Sequence, residues 1–141
     1  MTWEECLEKN DAKETREDKN RANSLVKTSE NRMKHVLESE IKDYNASTLF
    51  SEAYEALLQI CQAIISLRGY KVYNHVCITS FLDEVLGEKS MSNKFDRYRK
   101  VRNGINYYGE EVGENFAEKA ISEIEDMISS LKTDFLEDIE T

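Results

Sequence analysis

Apolar positions recur with a helical period along most of the chain. From Arg21 onward Leu25, Ser29, Met33, Val36, Leu37 and Ile41 follow at three- and four-residue steps, which predicts a helix to about Glu40. The stretch DYNAST breaks the pattern, with Asn45 and Ser47 as candidate caps. The most apolar segment comes next, from about Thr48 to Arg68. Its Leu49, Phe50, Ala53, Tyr54, Leu57, Leu58, Cys61, Ile64, Ile65 and Leu67 cover more than one helical face, as a central element requires. It ends at Arg68-Gly69, a basic last turn followed by glycine. A third helix is expected from about Val72 to Leu86, a fourth from near Ser90 to Gly109, and a fifth from about Glu111 to Phe135. The fifth carries Phe116, Ala120, Ile121, Ile124, Met127, Ile128 and Leu131 on one stripe.

Short, glycine-marked connections between helices of similar length place neighbours antiparallel. The expected fold is all-α, an up-and-down bundle of four to five helices forming one domain over residues 21–141. Residues 1–20 read as a charged arm or short helix docked through Trp3. The chain has 141 residues, enough for a core without staples, and no proline to break a helix from within. Asn103-Gly104 could nucleate a hairpin, but a lone two-stranded ribbon is marginal, so helix is preferred there.

Charge narrows the function. A formal net charge of −9 excludes a general DNA-coating protein, so any nucleic-acid contact must be local. The three cysteines, Cys6, Cys61 and Cys77, are odd in number and lack CxxC spacing, which points to reduced thiols and a cytoplasmic setting. MTWEECLEKN has acids where a signal peptide would need bases, and no segment reaches membrane-spanning length. His35 and His75 lie far apart without a second ligand at metal spacing, so neither metal nor cofactor is expected.

One segment stands apart. In RKVRNGINYYG, from Arg99 to Gly109, Tyr98, Val101, Ile105 and Tyr108 form a stripe expected to face the core. Arg99, Arg102, Asn103 and Asn106 fall at i, i+3, i+4 and i+7, with Tyr107 four residues after Asn103, so two guanidinium groups, two amides and a phenol share a surface. Guanidinium forks bind oxyanions in fixed geometry, and amides can orient a ribose or base edge. The alternative is that the cations neutralise the acid face of the last helix through Glu110, Glu111, Glu114 or Glu118.

This Arg102-Asn103 pair with Tyr107 four residues on, in the fourth helix of a small helical chain, resembles the motif of the HEPN superfamily, whose pattern is arginine, a polar residue, then histidine after a gap of four to six. The block LFSEAYEALLQICQAIISLRGYKVYNHVCITSFLDEVLG resembles the family's second and third helices, so the likeness covers about Arg21 to Leu131. It implies a bundle that dimerises with two arginine motifs meeting in a cleft. It also implies either a metal-independent ribonuclease, often a toxin paired with a nucleotidyltransferase-type antitoxin, or a noncatalytic nucleotide-binding or assembly module. Nucleotide- or phosphate-binding roles then fall to Arg99, Arg102, Asn103 and Asn106, and catalytic roles to Arg102, Tyr107 and His75. Tyr70, Tyr73, Tyr107 and Tyr108 near one end of the bundle suit a dimer interface.

Tyr107 stands at the family's histidine position. An ordinary phenol, with a pKa of about 10, is a poor base at neutral pH, and losing a positioned acid-base group costs roughly a hundredfold to ten-thousandfold in rate. Weakened catalysis is therefore expected. If the third and fourth helices form a hairpin about Glu88 and Lys89, His75 comes level with Arg102 and could supply the missing imidazole. His75 is also in register with Ile78, Leu82 and Val85, which would make it a structural core histidine.

Overall fold

In a computed structural model describing residues 1–137, the chain runs α1 (Trp3–Glu8), β1 (Ala12–Glu14), α2 (Lys19–Glu38), α3 (Ala46–Leu67), β2 (Tyr70–Val72), α4 (His75–Ser80), a π-helical turn (Phe81–Val85), α5 (Lys89–Tyr108) and α6 (Glu114–Phe135). The fold is an all-α helical bundle, as the periodicity predicts. Residues 138–141 of the expected domain lie outside the described residues. Among the described residues no helix is long and apolar enough to cross a membrane.

Helix α3 is the axis. It packs against α2, α5 and α6, which is why its apolar residues occupy more than one face. Phe50, Tyr54, Leu57, Ile60 and Ile64 are all fully buried along it, each aliphatic or aromatic side chain contributing about 1.5 to 3 kcal/mol. Tyr54 alone among these brings a hydroxyl into the core.

Capping explains the boundaries. Asp18 Oδ1 accepts from Arg21 N–H at the start of α2. Helix α6 begins at Glu114, later than the expected Glu111, because its start is held from the α2–α3 connection and the first turn of α3: Asp43 Oδ1 accepts from Glu114 N–H and Ser47 Oγ from Val112 N–H. Gly109, in the left-handed conformation at φ 66°, closes α5.

The expected third helix, Val72 to Leu86, divides into three pieces. Tyr70–Val72 is extended because it pairs antiparallel with Ala12–Glu14 of the arm, in the register Ala12 to Val72 and Glu14 to Tyr70. Asn74 then caps α4 through Val76 N–H. From Phe81 the turn widens, with Leu86 N–H donating to Phe81 C=O five residues back. A pairing partner almost sixty positions upstream leaves no mark on local periodicity.

The arm does dock through Trp3, whose ring meets Tyr70 and Phe81 edge-on at 5.3 Å each. This docking overturns the reading of three reduced thiols: Cys6 and Cys77 form a disulfide, with Cα atoms 5.9 Å apart across 71 residues of sequence. The absence of CxxC excluded only a local pair; tertiary contact made a distant one. A loop of this length corresponds to about 4 kcal/mol of unfolded-state entropy in the chain-entropy model. Cys61 remains a free thiol, and burial pushes it up to about 12, so it is unreactive at neutral pH.

Candidate functional site

Helices α4 and α5 form a hairpin about Glu88, and the side of α5 turned inward carries Ser92, Phe95, Tyr98 and Arg102. Ser92 Oγ–H ties the two together by donating to Thr79 C=O. The expected core stripe of Tyr98, Val101, Ile105 and Tyr108 is corrected accordingly. Tyr98 is buried, Val101 and Ile105 are half-buried, and Tyr108 is 78 % exposed, because the core-facing direction runs through Arg102. A helical wheel assigns a cation to the solvent side by default, and here that default fails.

Arg102 is only 8 % exposed. Its guanidinium lies over the Tyr54 ring, Cζ 5.1 Å from the centroid, in a cation–π contact. Its Nη2 is 2.7 Å from His75 Nδ1, and the Tyr54 hydroxyl is 3.1 Å from that same nitrogen. Hairpin register thus brings His75 and Arg102 together as the spacing about Glu88 and Lys89 predicts. A guanidinium has donors only, so Nδ1 must be the acceptor and the imidazole proton sits on Nε2. Burial first, then the positive charges of Arg102 and Arg99, hold His75 below its ordinary range, so it is neutral at pH 7. Burial likewise raises the Tyr54 hydroxyl despite the neighbouring Arg102 cation, keeping the phenol protonated.

Arg102 and His75 open onto a cleft of about 430 Å³ lined by Asp11, Tyr73, Asn74, His75, Val76, Arg99, Arg102, Asn103 and Tyr107, with Tyr54 buried behind them. Four of the five residues expected to share one surface, Arg99, Arg102, Asn103 and Tyr107, do line it. Asn106 does not, and it is exposed. Tyr107 sits on the rim, 70 % exposed.

The proposed neutralising acids on and before α6 are not the arginines' partners. Arg99 donates from Nε and Nη2 to Asp96 one turn back on its own helix. Burial would raise the Asp96 carboxyl, but the hydrogen bonds from Arg99 and Lys100 outweigh it and hold the group below its usual range. Arg97 and Lys94 reach across to Glu123 of α6. Arg102 has no carboxylate partner among the described residues, and its buried Nε has no hydrogen-bond acceptor.

Larger grooves exist elsewhere but lack such a cation. In the one of about 580 Å³ between α2 and α6, Lys34 and Lys132 are paired with Glu38 and Glu30. The cleft at Arg102 is therefore the arrangement best suited to hold an anion: one buried, unneutralised guanidinium, a second at its edge, and uncharged donors beside them. Sequence reasoning passed over two contributors. Tyr54 falls among core positions by periodicity, although a hydroxyl in the most apolar helix is itself a signal. Asp11 reaches the cleft through the β1–β2 pairing after it and the docked segment before it, both distant contacts. No protein-family model matches the chain, and no curated protein matches it.

Proposed function

We propose that the protein is a HEPN-like module that binds the phosphate of a nucleotide or of single-stranded RNA in the cleft between α4 and α5, acts as a homodimer, and is catalytically weakened. The observation that carries this reading is Arg102: a nearly buried guanidinium without a carboxylate partner among the described residues, bordering a polar cleft. Placing a cation there is costly unless something anionic meets it. Arg99 and Asn103 add donors at the edge, and the exposed ring of Tyr107 offers a face on which a base can stack, typically about 1 to 3 kcal/mol per base. The cytoplasm and a nucleotidyltransferase-type partner belong to this same reading.

The test is fluorescence anisotropy of a fluorescein-labelled single-stranded RNA octamer in EDTA. Binding that weakens with salt and is lost in Arg102→Ala supports the module; binding unchanged by that substitution rejects it.

A second reading, a metal-independent ribonuclease, draws support from the 2.7 Å contact between Arg102 and His75. The neutral imidazole is in the correct form for a base, but its basic nitrogen is occupied. When the guanidinium turns to a phosphate and the Tyr54 hydroxyl swings aside, Nδ1 accepts the proton of a ribose 2′-hydroxyl as that oxygen attacks phosphorus, the bond from phosphorus to the 5′-oxygen breaks, and the leaving 5′-oxygen takes a proton from water. RNA cleavage in EDTA that disappears in His75→Gln would establish this second reading, and intact RNA after prolonged incubation would remove it.

A further inference from the structure

We propose that the Cys6–Cys77 disulfide is a redox latch that holds Asp11 at the anion cleft, and that its reduction to two thiols releases the N-terminal segment and strengthens anion binding. The inference rests on the anion-binding reading of that cleft.

Asp11 is the only acidic residue among the cleft's lining residues, and its charge has the sign that disfavours an anion there. Its place depends on the segment before it. Asp11 C=O accepts from Tyr73 N–H, its own N–H donates to Cys6 C=O, and Cys6 is bonded to Cys77, two residues beyond His75. The segment has a small core of its own, whose fully buried members are Cys6, Ala12 and Cys77, so two of the three are the disulfide itself. Helix α1 has six residues, well below the dozen or so needed to persist unaided, and the ribbon has three pairs. Other anchors include the Trp3 ring, Trp3 N–H to Glu84, Ser80 Oγ–H to Met1 C=O and, beyond the ribbon, Thr15 N–H to Gly69 C=O.

The other side of the latch does not depend on it. Ile78 is fully buried in the main core, Asn74 caps α4, and His75 is held by Arg102. Breaking the bond therefore loosens the arm and leaves the cations in place.

Both sulfurs are buried, so a reductant reaches them when α1 lifts. A dithiol then supplies the electrons. Its thiolate attacks one sulfur, the S–S bond breaks, the second thiol resolves the mixed disulfide, and the dithiol leaves as a disulfide while Cys6 and Cys77 each gain a proton. In a reducing compartment disulfides are typically transient and regulatory, which is the behaviour a latch requires.

The experiment uses the full chain, the same RNA octamer in EDTA, and thiol alkylation read by mass spectrometry. Oxidised protein unfolded without reductant should be alkylated at Cys61 alone, and after native treatment with dithiothreitol at all three cysteines. Reduction should tighten RNA binding about fivefold, the scale expected for removing one charge several ångströms from the site in a solvent-exposed cleft. Asp11→Asn should give the same tightening while oxidised and no further response to reduction, and Cys6→Ser should match reduced wild type, with circular dichroism confirming the fold. Three results overturn the latch: free Cys6 and Cys77 in the purified protein, a bond that resists native reduction, or affinity unchanged or weakened on reduction. If Asp11→Asn still tightens binding in those cases, the cleft reading survives. RNA binding absent in both redox states, or indifferent to Arg102→Ala, defeats the cleft reading itself.

Discussion

Arg102 donates to Nδ1 of His75 across 2.7 Å although 27 residues separate them, and this contact fixes the imidazole tautomer and the direction of the guanidinium and adds to burial in keeping the ring neutral. Each consequence can be measured.

Arg102 holds its place by packing as well as by charge, since its guanidinium covers the Tyr54 ring. Arg102→Met keeps an unbranched chain there and removes the buried charge, so stability should change by less than about 1 kcal/mol while RNA affinity falls at least about tenfold. Arg102→Ala removes the same contact and also leaves a gap over the Tyr54 ring, and should cost about 1 to 3 kcal/mol in urea unfolding.

Acid should destabilise the fold through His75. In the folded protein the imidazole stays neutral below its ordinary value of 6.5, whereas the unfolded chain takes up the proton near that value. The unfolded state therefore binds more protons between the two values, so stability rises with pH through that window and falls as pH drops from about 7 through 6.5. In His75→Gln the slope in this window should flatten. The loss due to Asp96, whose carboxyl is held low, comes separately, as pH falls below its ordinary 3.8. Urea midpoints measured across both ranges distinguish the two groups.

Two glycines should respond with opposite sign. Gly104 lies inside α5, and a methyl group there meets the far end of the exposed Glu110 side chain, which can swing away. Gly104→Ala should stabilise by about 0.5 kcal/mol through helix propensity. Gly69 has φ of +80°, and a Cβ would sit 3.2 Å from Thr15 C=O, so Gly69→Ala should cost at least about 1 kcal/mol. Thermal melts of both variants check the pair.

The proposed homodimer places exposed aromatic rings at the cleft end of the bundle. Tyr108 is 78 % exposed and does not line the cleft, so Tyr108→Asp should shift a dimer toward monomer in light scattering without changing the melting temperature beyond its concentration dependence. A wild-type monomer at every concentration would remove the dimer from the proposal.

The bundle was legible because α2, α3 and α6 each advertise burial through a 3.6-residue period, and that signal is local. Level placement of His75 and Arg102 was also legible, since a hairpin's register follows from counting outward from its turn. What escaped had causes at a distance. Tyr70–Val72 became a strand through Ala12–Glu14, Cys6 found Cys77 through the docking of Trp3, and α6 was capped by Asp43 from another connection. The direction of Arg102 escaped for a different reason: a buried cation contradicts the polarity rule on which wheel analysis relies, and such contradictions concentrate where a protein has chemistry to perform.

The wide turn at Phe81–Val85 acts as a phase setter for the hairpin. Each residue advances an ordinary helix by about 100°, and the wide turn takes up one extra residue with the phase of α4 kept, so a further residue inserted there as ordinary helix would rotate α4 about its axis by that amount. His75 would then look away from α5 although no residue of the cleft had changed. Length in this short stretch is thus constrained as tightly as the identity of any side chain that lines the cavity.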